Sequence, residues 1–163
     1  MATSTPTLGE SFMYRKILVA LDGSDVAQAA LEHALHLGST ENAEVVPVYV
    51  VEYSSAYYSA AIYDVTPFHD AMMEEANKVV AMANERLTAA GVRGKARFID
   101  KEGITQTIAQ QLQDAAEEEG ADLVVLGTHG RRGFQRMVLG SVAEAFLRLS
   151  TRPVLLVPAK AGA

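Results

Sequence analysis

The chain has 163 residues, 49% of them hydrophobic and 21% charged, the composition of one globular domain with a buried core rather than a disordered or fibrous chain. It contains no cysteine, which excludes a disulfide framework, a thiolate metal site and a cysteine nucleophile. Lys and Arg number 14 against 20 Asp and Glu, a net charge of -6, so a basic nucleic-acid groove is not expected, and no apolar run approaches the ~18 residues of a membrane span.

Residues 1–12 are rich in Ala, Thr, Ser and Pro and read as a flexible tail, with Met13 an alternative start. No basic region followed by an apolar stretch marks a secretion signal, and a cytoplasmic location is expected. After Lys16, Ile17-Leu18-Val19-Ala20-Leu21 is a continuous apolar run ending at Asp22-Gly23-Ser24, which is turn and cap chemistry. Continuous apolarity predicts a strand buried on both faces, as in a parallel sheet. Ala27, Ala30, Leu31, Ala34 and Leu35 share one face of the following helix, with Gly38 as its stop.

Val45 to Val51 is the second strand. Pro47 within it cannot donate to a ladder, so its nitrogen should face away from a neighbour. Tyr53 to Asp64 carries Tyr53, Tyr57, Tyr58 and Tyr63 among Ser and Ala, and reads as a lid, a dimer contact or a mobile surface loop. Thr66-Pro67 opens a helix, Thr as N-cap and Pro at the first helical position. Its stripe is Met72, Ala76, Val79, Val80, Ala83 and Leu87, and Gly91 ends it. Ala96 to Asp100 is a weaker strand. Ile104, Ile108 and Leu112 begin another amphipathic helix, which closes in Glu117-Glu118-Glu119 and Gly120. Leu123 to Leu126 is the fourth strand, Ser141 to Leu149 a helix, and Pro153 to Val157 the fifth strand.

Strands alternating with helices predict an α/β fold: a single-domain, Rossmann-like open parallel sheet of about five strands with helices on both faces. Ligands in such sheets bind beyond the carboxyl ends of the strands, where the strand order reverses.

The connection Gly127 to Gly140 lies at that end of the fourth strand. Ordinary βα loops run ~2–6 residues; this one is longer and holds four glycines and three arginines. Phe134, Met137 and Val138 could pack inward on a helical turn within it. Glycines let backbone N–H groups approach an anion, and Gly140-Ser141 leads into a helix N-terminus that favours negative charge. Ser141-Val142-Ala143-Glu144 also has the spacing of a capping box, so Ser141 is expected to cap, to bind, or to do both. The loop is not a Walker A motif, since no lysine occurs between Lys101 and Lys160.

Gly127-x-x-Gly130, nine residues, then Gly140-Ser141 resembles the G-2x-G-9x-G-S/T signature of the nucleotide-binding branch of the universal stress protein family. Lys16 to Ser24 is similar to that family's opening strand and turn, and Pro153-Val-Leu-Leu-Val-Pro158 to its closing strand. The resemblance covers residues 13–158, leaving 159–163 as a C-terminal tail. It implies strand order 3-2-1-4-5 and ATP as ligand. Asp22 would contact the adenosine part, Val50 would offer backbone groups to adenine, and Leu126 would line the pocket. Gly127 and Gly130 would approach ribose and phosphates; Gly140, Ser141 and Val142 would hold the phosphates. His129, Arg131 and Arg132 lie in the same loop and join the candidate set. One departure is Ala20, where ATP-binding relatives often carry Pro.

No His or carboxylate cluster has ligand spacing, so Mg²⁺ or Mn²⁺ is expected only with the bound triphosphate. His33, His36 and His69 read as surface or boundary residues, and Met72-Met73 as core filling. In the implied order the fifth strand is an edge, apolar throughout, which together with the habit of the family implies a homodimer through Val154, Leu155, Leu156 and Val157. The function expected is that of an ATP-binding stress-response regulator acting through nucleotide occupancy and homodimerisation, its protein partner not named by the sequence and membrane insertion not expected. The alternatives are a slow ATPase using the same site, for which no general base is evident beside the loop, and an interaction protein with an empty site.

Overall fold

A computed structural model describes residues 13–60, 64–102, 105–129 and 139–158. Both expected tails, Tyr63, Ile104 and the proposed turn of Phe134, Met137 and Val138 lie outside the described residues. The elements in chain order are β1 (Lys16–Leu21), α1 (Asp25–Glu41), β2 (Glu44–Val50), α2 (Ser55–Ala60), α3 (Thr66–Ala90), β3 (Arg97–Ile99), α4 (Ile108–Glu119), β4 (Leu123–Gly127), α5 (Ser141–Leu149) and β5 (Val154–Val157). The strands form one parallel sheet in the order β3-β2-β1-β4-β5, the expected topology.

The sheet separates two apolar layers. On one face, Ile17, Val19, Val45 and Val125 pack against Ala30, Leu31 and Ala34 of α1 and Ala76, Val79 and Ala83 of α3. On the other, Leu18, Val46, Val48 and Val124 pack against Leu112 and Ala115 of α4 and Ala143 and Phe146 of α5. Alternate strand residues thus feed opposite cores, which is why the strands read as continuous apolar runs. Asp122 sets the level of β1 against β4. Its Oδ2 accepts from the Arg15 and Lys16 N–H groups at 2.8 and 3.0 Å, while its own N–H donates to the Lys16 carbonyl at 2.8 Å.

Several boundaries differ from the sequence reading. Gly38 does not stop α1, which runs on to a left-handed C-cap at Asn42. A Cβ at Gly38 would lie 2.6 Å from Val45 Cγ2 and 2.9 Å from Val92 Cγ1, so this glycine admits β2 against the helix instead. Thr66 is not the N-cap of α3. Val65 occupies that place without a side-chain cap, and Pro67 follows in the first turn. The Thr66 hydroxyl first, and the Thr66 N–H that donates to Asp64 Oδ1 at 2.9 Å second, hold the Asp64 carboxyl below the usual carboxylate range. α4 starts at a capping box of Thr107 and Gln110, and part of the tyrosine-rich stretch is the short helix α2.

Pro47 sits inside the sheet, level with Val19 of β1. The Val45 N–H donates to the Arg93 carbonyl and the Val51 N–H to that of Ile99, so Pro47, of the same parity, turns its nitrogen toward the β3 side. The ladder with β3 begins only at Val48 opposite Arg97, so the missing donor falls just before it.

Candidate functional site

The strand order reverses between β1 and β4. Their pairing puts Val19 level with Val125, and the same register carried further sets Leu21 level with Gly127. The turn after β1 and the loop after β4 therefore open into one crevice at the carboxyl edge of the sheet. Asp22 is half-buried there. Its Oδ1 accepts from the Ser24 N–H at 2.9 Å, and Ser24 Oγ accepts from the Ala27 N–H at 3.2 Å, so the carboxylate is fixed by the turn that starts α1.

Gly127 ends β4 against the first turn of α1. A Cβ there would lie 2.8 Å from Val26 Cγ1 and 3.3 Å from the His129 carbonyl oxygen, so the missing side chain is what lets α1 approach the loop. The loop is tied at its base: the Thr128 N–H donates to the Val157 carbonyl at 2.9 Å, and the Thr128 carbonyl accepts from the Gly140 N–H at 2.7 Å. Thr128 Oγ1 and His129 Nδ1 are 2.9 Å apart, and His129 Nε2 is a buried atom with no partner among the described residues. Gly130, Arg131 and Arg132 lie outside the described residues.

The structure corrects the reading of Ser141 as a cap. The N-cap of α5 is Gly140, in extended conformation, and among the described residues no side chain caps the helix. Ser141 is the first helical residue, and Glu144, instead of reaching back, pairs with Arg148 at 2.7 Å. The spacing was right for a capping box, but the chain enters the helix one residue too early for Ser141 to turn its hydroxyl onto the following N–H groups. Among the described residues the first N–H groups of α5 thus have neither an intrahelical acceptor nor a side-chain cap, the arrangement that favours a bound anion.

Ser141 and Val142 line a cleft of about 500 Å³, whose far walls are Val51 and Tyr53 after β2, and Gln106, Ile108 and Gln111 on and before α4. That is within the ordinary size range of a small-molecule pocket. Val50 and Leu126 are core residues, 7% and 3% exposed; the cleft wall is made by the next residue after β2, Val51. Tyr53, Tyr57 and Tyr58 form an aromatic cluster at the rim, with ring centroids 4.8 to 6.4 Å apart. The Tyr53 hydroxyl donates to Asp100 Oδ1, and the Tyr57 hydroxyl to Glu102 Oε1 at 2.9 Å. Burial first, and these carboxylates second, push both phenols above the usual tyrosine range. His69 Nε2 lies 3.8 Å from Asp100 Oδ2. Among the described residues no group of three or more His, Asp or Glu is placed to hold a metal ion.

The sequence reading missed the α4 wall. Its signal was Gln111, a polar residue three positions after Ile108 on the stripe that α4 buries.

The family model described as "Universal stress protein family" matches residues 13–158. The universal stress protein MJ0531 of Methanocaldococcus jannaschii is 32% identical over 145 residues, covering 89% of this chain and 82% of its own. A solved structure of a universal stress protein family member from Burkholderia pseudomallei is 40% identical, with TM-score 0.71, covering 90% of this chain and 98% of that one. A universal stress protein solved in complex with cAMP is 25% identical, with TM-score 0.61, covering 89% and 97%.

Proposed function

This chain belongs to the universal stress protein family, and from that premise we propose that it is an ATP-binding stress-response regulator that acts through nucleotide occupancy and homodimerisation. The observation that carries the reading is the uncapped start of α5, reached through a loop tied at Thr128 and Gly140 and placed where the strand order reverses. The functional unit is residues 13–158. Phosphates would meet the N–H groups of Ser141 and Val142 and the Gly127–Gly140 loop, Arg131 and Arg132 adding positive charge. Asp22 suits ribose hydroxyls, as a carboxylate accepts from two donors. The backbone at Val50 and Val51 would border the base. A cyclic nucleotide in a relative with the same fold supports the class of ligand. Mg²⁺ or Mn²⁺ would arrive with the triphosphate, and the site of action would be the cytoplasm. Among the described residues no helix is long and apolar enough to cross a membrane.

Calorimetry with ATP tests this on the wild type and on Gly140→Val. The branched side chain stands where phosphate must approach, so affinity should fall at least tenfold, ~1.4 kcal/mol, with far-UV circular dichroism retained. Unchanged affinity in the variant, or no ATP binding by the wild type at millimolar concentration, would sink the assignment.

The dimer has its own support. The carbonyls of Pro153 and Val157 face β4, accepting from Val124 and Thr128, so the backbone groups of Val154 and Leu156 point to the open edge. Val154, Leu155 and Leu156 are only half-buried, and Leu147 and Leu149 of α5 are 42% and 41% exposed. A second copy running antiparallel would pair those groups and cover that edge. Light scattering at micromolar concentration should show a wild-type dimer and a Leu156→Lys monomer with intact circular dichroism. A monomeric wild type would end the idea.

A further inference from the structure

β2 and β3 leave the sheet side by side, where the Val51 N–H donates to the Ile99 carbonyl at 2.9 Å. Past that bond, side chains join the two segments. The Tyr53 hydroxyl donates to Asp100 Oδ1, and the Tyr57 hydroxyl to Glu102 Oε1 at 2.9 Å. The segments then part: one continues through α2 to α3, the other to α4. Glu52, Tyr53 and Tyr58 line the cleft from the first segment, and Lys101, Gln106 and Ile108 from the second. The two tyrosine–carboxylate bonds therefore tie one wall of the cleft to the other at its rim. Asp100 also faces His69 Nε2 at 3.8 Å, which brings the first turn of α3 to the same point.

The three rings are packed as a unit. Tyr57 meets Tyr53 and Tyr58 edge-on, with centroids 4.8 and 5.6 Å apart. α2 has only six residues, and Tyr57 is the buried one among its described side chains. A helix that short has little stability of its own, so its place depends on that ring and hydroxyl. Both acceptors are carboxylates, which makes these bonds stronger than bonds between neutral groups. Burial pushes both phenols above the usual tyrosine range, so they keep their protons at neutral pH.

A phenol has one proton to donate, and here the protein itself accepts it. Such bonds contribute equally whether the cleft is empty or filled. They set how often its walls part, not how tightly a ligand is held. We propose that the Tyr53–Asp100 and Tyr57–Glu102 bonds are the latch of a lid formed by residues 53–58, and that nucleotide enters and leaves the cleft only when the latch opens. This rests on the nucleotide reading above. Both rates then scale with the fraction of time the latch is open, while their ratio does not.

Stopped-flow mixing of the full chain with ATP carrying a fluorescent methylanthraniloyl group, followed by displacement with plain ATP, gives both rates. Tyr57→Phe removes the hydroxyl and keeps the ring. Association and dissociation should each quicken by at least about fivefold, with the dissociation constant within about twofold of wild type. Tyr53→Phe, which keeps the ring that lines the cleft, should act in the same way. Glu102→Gln should quicken both rates too, and serves the comparison should Tyr57→Phe fail to fold. Added to Tyr57→Phe it should do nothing further, since the two substitutions cut one bond. Unchanged rates in the folded variants overturn the latch and leave nucleotide binding standing. Faster dissociation with an equal loss of affinity overturns it in favour of direct contact between tyrosine and ligand. No binding of labelled or plain ATP by the wild type overturns both readings together.

Discussion

Gly94→Ala should abolish a stable fold or cost about 4 kcal/mol or more, read from urea melts or from loss of soluble protein. Gly94 has φ +145°, a region that L-residues rarely adopt, and a Cβ built on it would lie 1.8 Å from the Val45 carbonyl oxygen and 2.8 Å from the Val45 carbonyl carbon. Both are backbone atoms of β2, the strand next to the sheet centre, and cannot turn aside as a flexible side chain would. The adjoining Arg93 carbonyl accepts from the Val45 N–H at 2.8 Å, so relieving the clash breaks the bond that leads the chain into β3. Strain of this kind costs ~1–3 kcal/mol before the overlap is counted, against a total stability of ~5–15 kcal/mol for a typical domain. Gly91→Ala is the control. It also has positive φ, +63°, but nothing within 4 Å of its Cβ, and should lose only about 1 kcal/mol. A Gly94→Ala protein within 1 kcal/mol of wild type would show that the approach of these two backbones is not needed.

Phe146→Ala should destabilise the chain by ~3–5 kcal/mol, the range for removing a fully buried aromatic side chain. Phe146 is 0% exposed and, with Ala143, is one of the two buried residues of α5. Ala143 is already minimal and Val142 and Ala145 are only partly buried against this core, so the phenyl ring is the largest part of the attachment of α5 to Leu18, Val124 and Leu112. Nucleotide affinity should fall as well, even where the variant stays folded, since the ring holds the helix whose first turn lines the cleft. Leu149→Ala on the same helix, at a residue 41% exposed, should change stability by less than about 0.5 kcal/mol. A Phe146→Ala protein with wild-type melting and wild-type affinity would mean that α5 is positioned by something other than its core face.

Much of this architecture is legible in the residues. Apolar runs such as Ile17 to Leu21 and Leu123 to Leu126 are continuous because both faces are covered, and the helix stripes follow from their spacing. The boundaries that went astray share a cause: a residue type with two uses. Gly38 has the look of a helix stop but serves the approach of Val45; Thr66 and Ser141 have the look of caps but stand one residue inside their helices. Which use applies depends on a neighbour far along the chain, which local pattern does not contain. The candidate site divides in the same way. The loop after β4 was visible through its glycines, while the α4 wall was hidden because Gln111 becomes informative only once it is seen to be buried. The capping box of Thr107 and Gln110, three residues apart, is legible in the sequence and marks the start of α4.

The two bonds at Thr128 have a thermodynamic meaning. One peptide unit donates to the carbonyl of Val157, on the edge strand, and the carbonyl of the same residue accepts from Gly140, where the loop enters α5. Any shift of that residue is felt on both sides. If a ligand shifts that residue and with it the edge strand, and two copies associate through that strand, association must tighten ligand binding by the same factor that the ligand tightens association. The chain would then report nucleotide concentration as a change in self-affinity, through one threonine whose side chain takes no part in either bond.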